Sequence, residues 1–180
     1  MKRSPVLKKR GLTLVEILFV IAILGALAAI LVPSMRRMKA AAVSTQCLGK
    51  LRNLGMSLND YFVDHGTIYP EMVSARESRE DKEPAMDTVL MEYVRDEYAF
   101  QCPADHDQIF EETGSSYFWN SLINGQRMGN MDLLGLTDKA SGIPLMSDKE
   151  NFHENVGDGV NILYADGHVL KELQFVVESK

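Results

Sequence analysis

The 180-residue chain carries a net charge of −6, with 46% hydrophobic and 24% charged residues. That balance excludes wholesale disorder and allows one domain of ordinary size plus an appended segment. The charge is uneven: Lys2, Arg3, Lys8, Lys9 and Arg10 give residues 1–11 a net +5, leaving 14 basic against 25 acidic residues, a net of −11, for the rest. An acidic body is a poor surface for phosphate backbones, so no nucleic acid is expected among the partners. Two cysteines, Cys47 and Cys102, are too few for a disulfide framework, and the lack of a CxxC excludes a zinc ribbon or a thioredoxin-like motif.

After the basic leader comes "RGLTLVEILFVIAILGALAAILVP". Leu14 to Val32 is an apolar run of 19 residues, about 28 Å as a helix, which is nearer a membrane span than a short signal core. No small-x-small cleavage site follows it. The plausible processing point is Gly11, which precedes the run, so cutting there removes the leader and keeps the hydrophobic helix. The leader's positive charges favour a cytoplasmic N-terminus and an exported body, against the weaker opposing set Arg36, Arg37 and Lys39. Within the run, Gly25 and Ala29 form a small-xxx-small pair, which suits close helix approach or is plain apolar filler. From Leu12 to Val32, Glu16 is the only ionisable side chain. A carboxylate in hydrocarbon costs roughly 2.5–3.5 kcal/mol on insertion scales, so it either has a partner or snorkels to the interface.

This segment resembles the N-terminal cleavage and methylation region of type IV pilins and type II secretion pseudopilins. The family pattern is a basic leader ending in Gly, four mostly apolar residues, a Glu, and a long apolar run. The resemblance implies cleavage by a prepilin peptidase after Gly11, N-methylation of Leu12 and pairing of Glu16 with the amino terminus of a neighbouring subunit during assembly. Leu12 stands where Phe is usual in the family, and Pro33 falls where pilins often carry a helix-bending proline.

Beyond Pro33, the positions Met35, Met38, Ala42, Thr45, Leu48, Leu51, Leu54, Leu58 and Phe62 form an apolar stripe with steps of three and four. One helix of about 75 Å is therefore predicted from Leu12 to Val63, bent at Pro33 and stopped at Gly66. "SARESREDKEP" has no periodicity and is expected as an exposed loop. "DTVLMEYVRDEYAF" carries Val89, Leu90, Tyr93 and Val94 on one helical face, with Asp87 as a candidate N-cap. "SSYFWN", "IPLMSD", "GVNILYA" and "HVLKEL" are predicted as short strands, the last two joined by a two-residue Asp166-Gly167 turn. The fold class is α+β, a long helix on a small antiparallel sheet. Its expected divisions are a leader (1–11), a membrane or filament-core helix (12–33) and an exported body (34–180).

The body is similar to a pilin-like subgroup with a Cys in the long helix, a later Cys-Pro and a C-terminal His…Asp-Gly signature. Here twelve residues separate His153 from Asp166, against about nine in that subgroup, so His153 departs from the pattern. In an exported body Cys47 and Cys102 are expected as a disulfide, with two separate buried thiols as the alternative. The stretch "SDKENFHENVGDGVNILYADG" gathers Asp148, Glu150, Glu154, Asp158 and Asp166. Hard oxygen donors such as Asp148, Asp158 and Asp166 suit calcium, which some pseudopilins hold in a C-terminal loop; the same residues are ordinary turn formers. His153 and His168 with nearby acids invite comparison with a metal hydrolase, but no HExxH, nucleophile elbow or phosphate loop accompanies them.

The sequence thus points to a non-enzymatic, membrane-anchored structural subunit. Resemblance implies as partners a prepilin peptidase, other pilin-like subunits, an inner-membrane assembly platform and the lipid bilayer, most simply for a type II secretion pseudopilus. A minor type IV pilus or DNA-uptake pilin, or an exported ligand-binding module on a pilin-type anchor, are the alternatives.

Overall fold

The computed structural model describes residues 13–154, 156 and 159–171. Gly11, Leu12 and Asp158, named above as candidate site residues, lie outside them. The chain divides into two units, one ending at Lys39 and the other beginning at Ala40.

In the first unit, α1 (Leu14–His65) begins, and every described residue as far as Lys39 is exposed. Pro33 lies inside α1, whose helical course continues through it. Among its described residues the second unit contains the rest of α1, the short helices α2 (Met86–Val89), α3 (Met91–Val94) and α4 (Ile109–Thr113), and four strands. These are β1 (Tyr117–Trp119), β2 (Pro144–Asp148), β3 (Ile162–Tyr164) and β4 (Val169–Leu170). They form one antiparallel sheet in sequence order, with β1 pairing Tyr117 to Asp148 on β2. The expected α+β arrangement of a long helix with a small antiparallel sheet is what the chain adopts.

The core of the second unit joins α1 to this sheet. Cys47, Leu51, Leu54, Leu58 and Phe62 pack in one cluster with Phe100, Trp119, Ile143, Met146 and Leu163. From Leu51 onward the buried face is the predicted stripe. Before it, the face runs through Cys47 and Ser44 instead of Leu48 and Thr45, of which Thr45 is exposed. At about 3.6 residues per turn either set continues the stripe, and the cross-link at Cys47 selects one. Gly55 permits close packing: a Cβ added there would meet a Leu163 methyl on β3 at 2.9 Å. Gly66, with φ of +66°, follows the end of α1.

Three local expectations are corrected. The segment after Asp87 is two single helical turns, split at Leu90 and ended by Arg95 at φ +57°; Ala85, not Asp87, occupies the N-cap of α2. The β3–β4 turn has three residues, Ala165 to Gly167. Gly167 donates its N–H to Tyr164 O at 2.9 Å, and positive φ is required at Gly167 but not at Asp166.

The charged loop is not uniformly exposed. Arg76 is buried, where its guanidinium pairs with Asp87 and donates to Asp81 O at 3.1 Å and to Thr113 O at 3.4 Å. Arg79 stacks over Phe110 at 4.4 Å and donates to Phe110 O at 3.1 Å from Nε. The loop is thereby pinned to α2 and α4. Truncating one member of a buried pair strands the other charge. Asp87→Ala is therefore expected to lower stability by about 3 kcal/mol in denaturant unfolding, whereas the double change Arg76→Met, Asp87→Leu costs much less.

Candidate functional site

The N-terminus of α1 is organised by Thr13-Leu14-Val15-Glu16. Glu16 Oε2 accepts from the Thr13 N–H at 2.8 Å and from Thr13 Oγ1–H at 2.9 Å, while Thr13 Oγ1 accepts from the Glu16 N–H at 3.3 Å. This is a reciprocal capping box, which satisfies orphan donors at a helix start and places a carboxylate at the positive end of the helix dipole. The T-x-x-E pattern that signals this cap is visible in the sequence, where Glu16 otherwise stands out only as a lone charge in an apolar run.

Below that cap the helix surface is apolar on all sides. Leu14 is 82% exposed and Ile30 74%, with Ile17, Leu18, Phe19, Ile21, Leu24, Leu27 and Leu31 also open. Among the described residues, α1 is the one helix long and apolar enough to cross a membrane, and its apolar window is exposed. So much contiguous apolar surface marks a lipid or protein contact.

The C-terminal candidates separate. Asp148, at the end of β2, is buried; its Oδ2 accepts from Asn161 N at 2.7 Å and from Asn161 Nδ2 at 2.8 Å. Asp166 sits exposed in the β3–β4 turn and pairs with His168, whose ring stacks on Tyr164 at 4.5 Å. Asp148 and Asp166 therefore have different neighbours. His153, which departs from the subgroup spacing, is buried with its Nε2 3.5 Å from both Asp148 Oδ2 and Cys102 Sγ. Cys47 and Cys102 are joined as a disulfide, with Cα atoms 5.3 Å apart. Of the aromatic strand, Tyr117 and Trp119 are core residues and Phe118 is 40% exposed.

Burial pushes the Asp148 carboxyl up to about 7, against the bonds from Asn161 that pull it down. Between about pH 4 and 7 the unfolded chain has released this proton while the folded chain still holds it, so stability falls as pH rises. His153 acts in the opposite sense: burial, with the Lys171 charge, lowers its pKa, so stability is lost as pH drops below about 6.5. In melting curves from pH 4.5 to 7.5, wild type is expected to lose ground to Asp148→Asn as pH rises. Wild type gaining ground would contradict the assignment.

The comparisons with known proteins agree with this geometry. The model of the prokaryotic N-terminal methylation motif matches residues 7–32. Type II secretion system core protein G of Escherichia coli (strain K12) is 31% identical over 127 residues, which is 71% of this chain and 80% of that protein. The chain belongs to the type IV pilin and pseudopilin superfamily. This is a family of structural subunits, and the exposed apolar helix of this pilin-like chain fits an inner-membrane anchor with a periplasmic body. No solved structure matches the chain significantly.

Proposed function

We propose that this chain is a pseudopilin: a subunit cleaved after Gly11 by a prepilin peptidase, methylated at the Leu12 amine, stored in the inner membrane and assembled into the periplasmic pseudopilus of a type II secretion system. The observation that carries the proposal is the start of α1, where an uncovered apolar helix surface begins with a capped Glu16. Lipid covers such a surface before assembly, and the equivalent helices of other subunits cover it afterwards. Similarity to core protein G supports the secretion system over a pilus. The acidic body, with a net −11 beyond residue 11, disfavours a DNA-uptake role. In this role the chain performs no substrate chemistry; Gly11 and Leu12 are acted upon by others.

The test is assembly. Tagged chain produced in excess with a complete type II secretion machinery is expected in sheared filaments, labelled along their length in electron micrographs. Tag confined to the membrane fraction while the machinery's own pseudopilin forms filaments would favour an anchored binding module.

A further inference from the structure

Three metal-type donors meet in the body beside the end of β2, and a fourth, Asp148, adjoins one of them, His153. Cys47 comes from α1, Cys102 from the segment after the 3-10 turn Glu97–Phe100, Asp148 from β2 and His153 from the β2–β3 connection. All four are buried. Among the described residues, Cys47, Cys102 and His153 are the one trio of His, Cys or carboxylate residues whose donor atoms all lie within 4.8 Å of one another. In a hydrogen-bond relay, sulfur and carboxylate sit on opposite ring nitrogens. Here Cys102 Sγ and Asp148 Oδ2 both face His153 Nε2, each at 3.5 Å. Neighbouring donors in a tetrahedral zinc site, with bonds of about 2.0–2.3 Å, are separated by about 3.3–3.8 Å. A second observation concerns Asp148 alone: among the described residues its Oδ1, the partner of the oxygen that faces His153, is buried without a hydrogen bond, a costly state that coordination of the carboxylate would relieve.

We propose that, before the Cys47–Cys102 bond forms, the chain binds one zinc-type divalent cation through Cys47 Sγ, Cys102 Sγ, His153 Nε2 and the Asp148 carboxylate. Two thiolates, an imidazole and a carboxylate make a donor set for a borderline-soft, tetrahedral ion and not for calcium or magnesium. A newly made chain carries thiols, so loading needs no reductant and releases the two thiol protons. Later oxidation joins the two sulfurs and frees the cation. The two electrons pass to a disulfide-bearing oxidant, whose cystine takes up two protons and becomes two thiols. Cation and disulfide in turn close the same loop between α1 and Cys102, so the body is held in register before and after oxidation.

The test uses the full chain in detergent, reduced with a phosphine under anaerobic conditions and titrated with Co²⁺. Saturation is expected at one equivalent, with thiolate-to-cobalt charge-transfer absorption and the visible bands of tetrahedral cobalt. Zn²⁺ should bleach both, and the oxidised chain should bind none. His153→Gln is expected to weaken binding at least about tenfold. If that variant does not fold, Asp148→Asn, of nearly the same shape, is expected to weaken binding by a similar factor. No cobalt signal from the reduced chain, or equal affinity in wild type and these variants, would overturn the site.

Discussion

Glu16→Gln is expected to leave the chain processed and in the membrane but absent from filaments. Glutamine can still accept the Thr13 N–H, so the capping box survives; what disappears is the charge. Glu16→Leu removes both, with a further loss of about 1 kcal/mol of helix-start stability. In the proposed assembly the carboxylate meets the amino terminus of a neighbouring subunit. Each charge is expensive alone in an apolar surround, at roughly 2.5–3.5 kcal/mol, so the pair selects the register in which both are relieved. Normal filaments from Glu16→Gln would make Glu16 a helix cap and nothing more. Immunoblotting of sheared filaments against membrane fractions reads the difference.

The double change Cys47→Ala, Cys102→Ala is expected to lower the stability of the body by about 4 kcal/mol on chain-entropy grounds, because the bond closes a loop with a sequence separation of 55. The two residues are also fully buried and in contact with the core that joins α1 to the sheet. The loss should appear as a lower midpoint in denaturant, equal to that of wild type measured with excess reductant in the absence of metal. A change below 1 kcal/mol would mean that packing of Leu51, Leu54 and Leu58 alone fixes the body on the helix. Free-thiol titration of the denatured, unreduced protein checks the bond itself, and two reactive thiols would contradict it.

Much of this was legible because it is local. The basic leader, Gly11, Glu16 and the apolar run are a contiguous pattern, and the α1 stripe from Leu51 to Phe62 follows from helical period alone. The Asp166-Gly167 turn was visible too, but its length was misjudged because positive φ is needed only at Gly167. What escaped depends on partners distant in sequence. Arg76 looks like a solvated loop residue until Asp87 and the Thr113 carbonyl are placed around it. His153 is placed by Cys102, 51 residues away in sequence, and by Asp148 at the end of β2, not by spacing to Asp166. Ser44 lies off the apolar stripe of the sequence, yet it is buried with its Oγ 3.4 Å from Asn161 Oδ1. Of the calcium candidates Asp148, Asp158 and Asp166, the first and last have separate partners in Asn161 and His168, and Asp158 lies outside the described residues.

The most direct measurement is the intact mass and N-terminal sequence of membrane-expressed protein, with and without a prepilin peptidase. A chain that begins at N-methylated Leu12 and keeps the hydrophobic helix, only when the peptidase is present, is the expected result. A Met1 start despite an active peptidase would contradict processing at Gly11 and, with it, entry into the pilin assembly pathway.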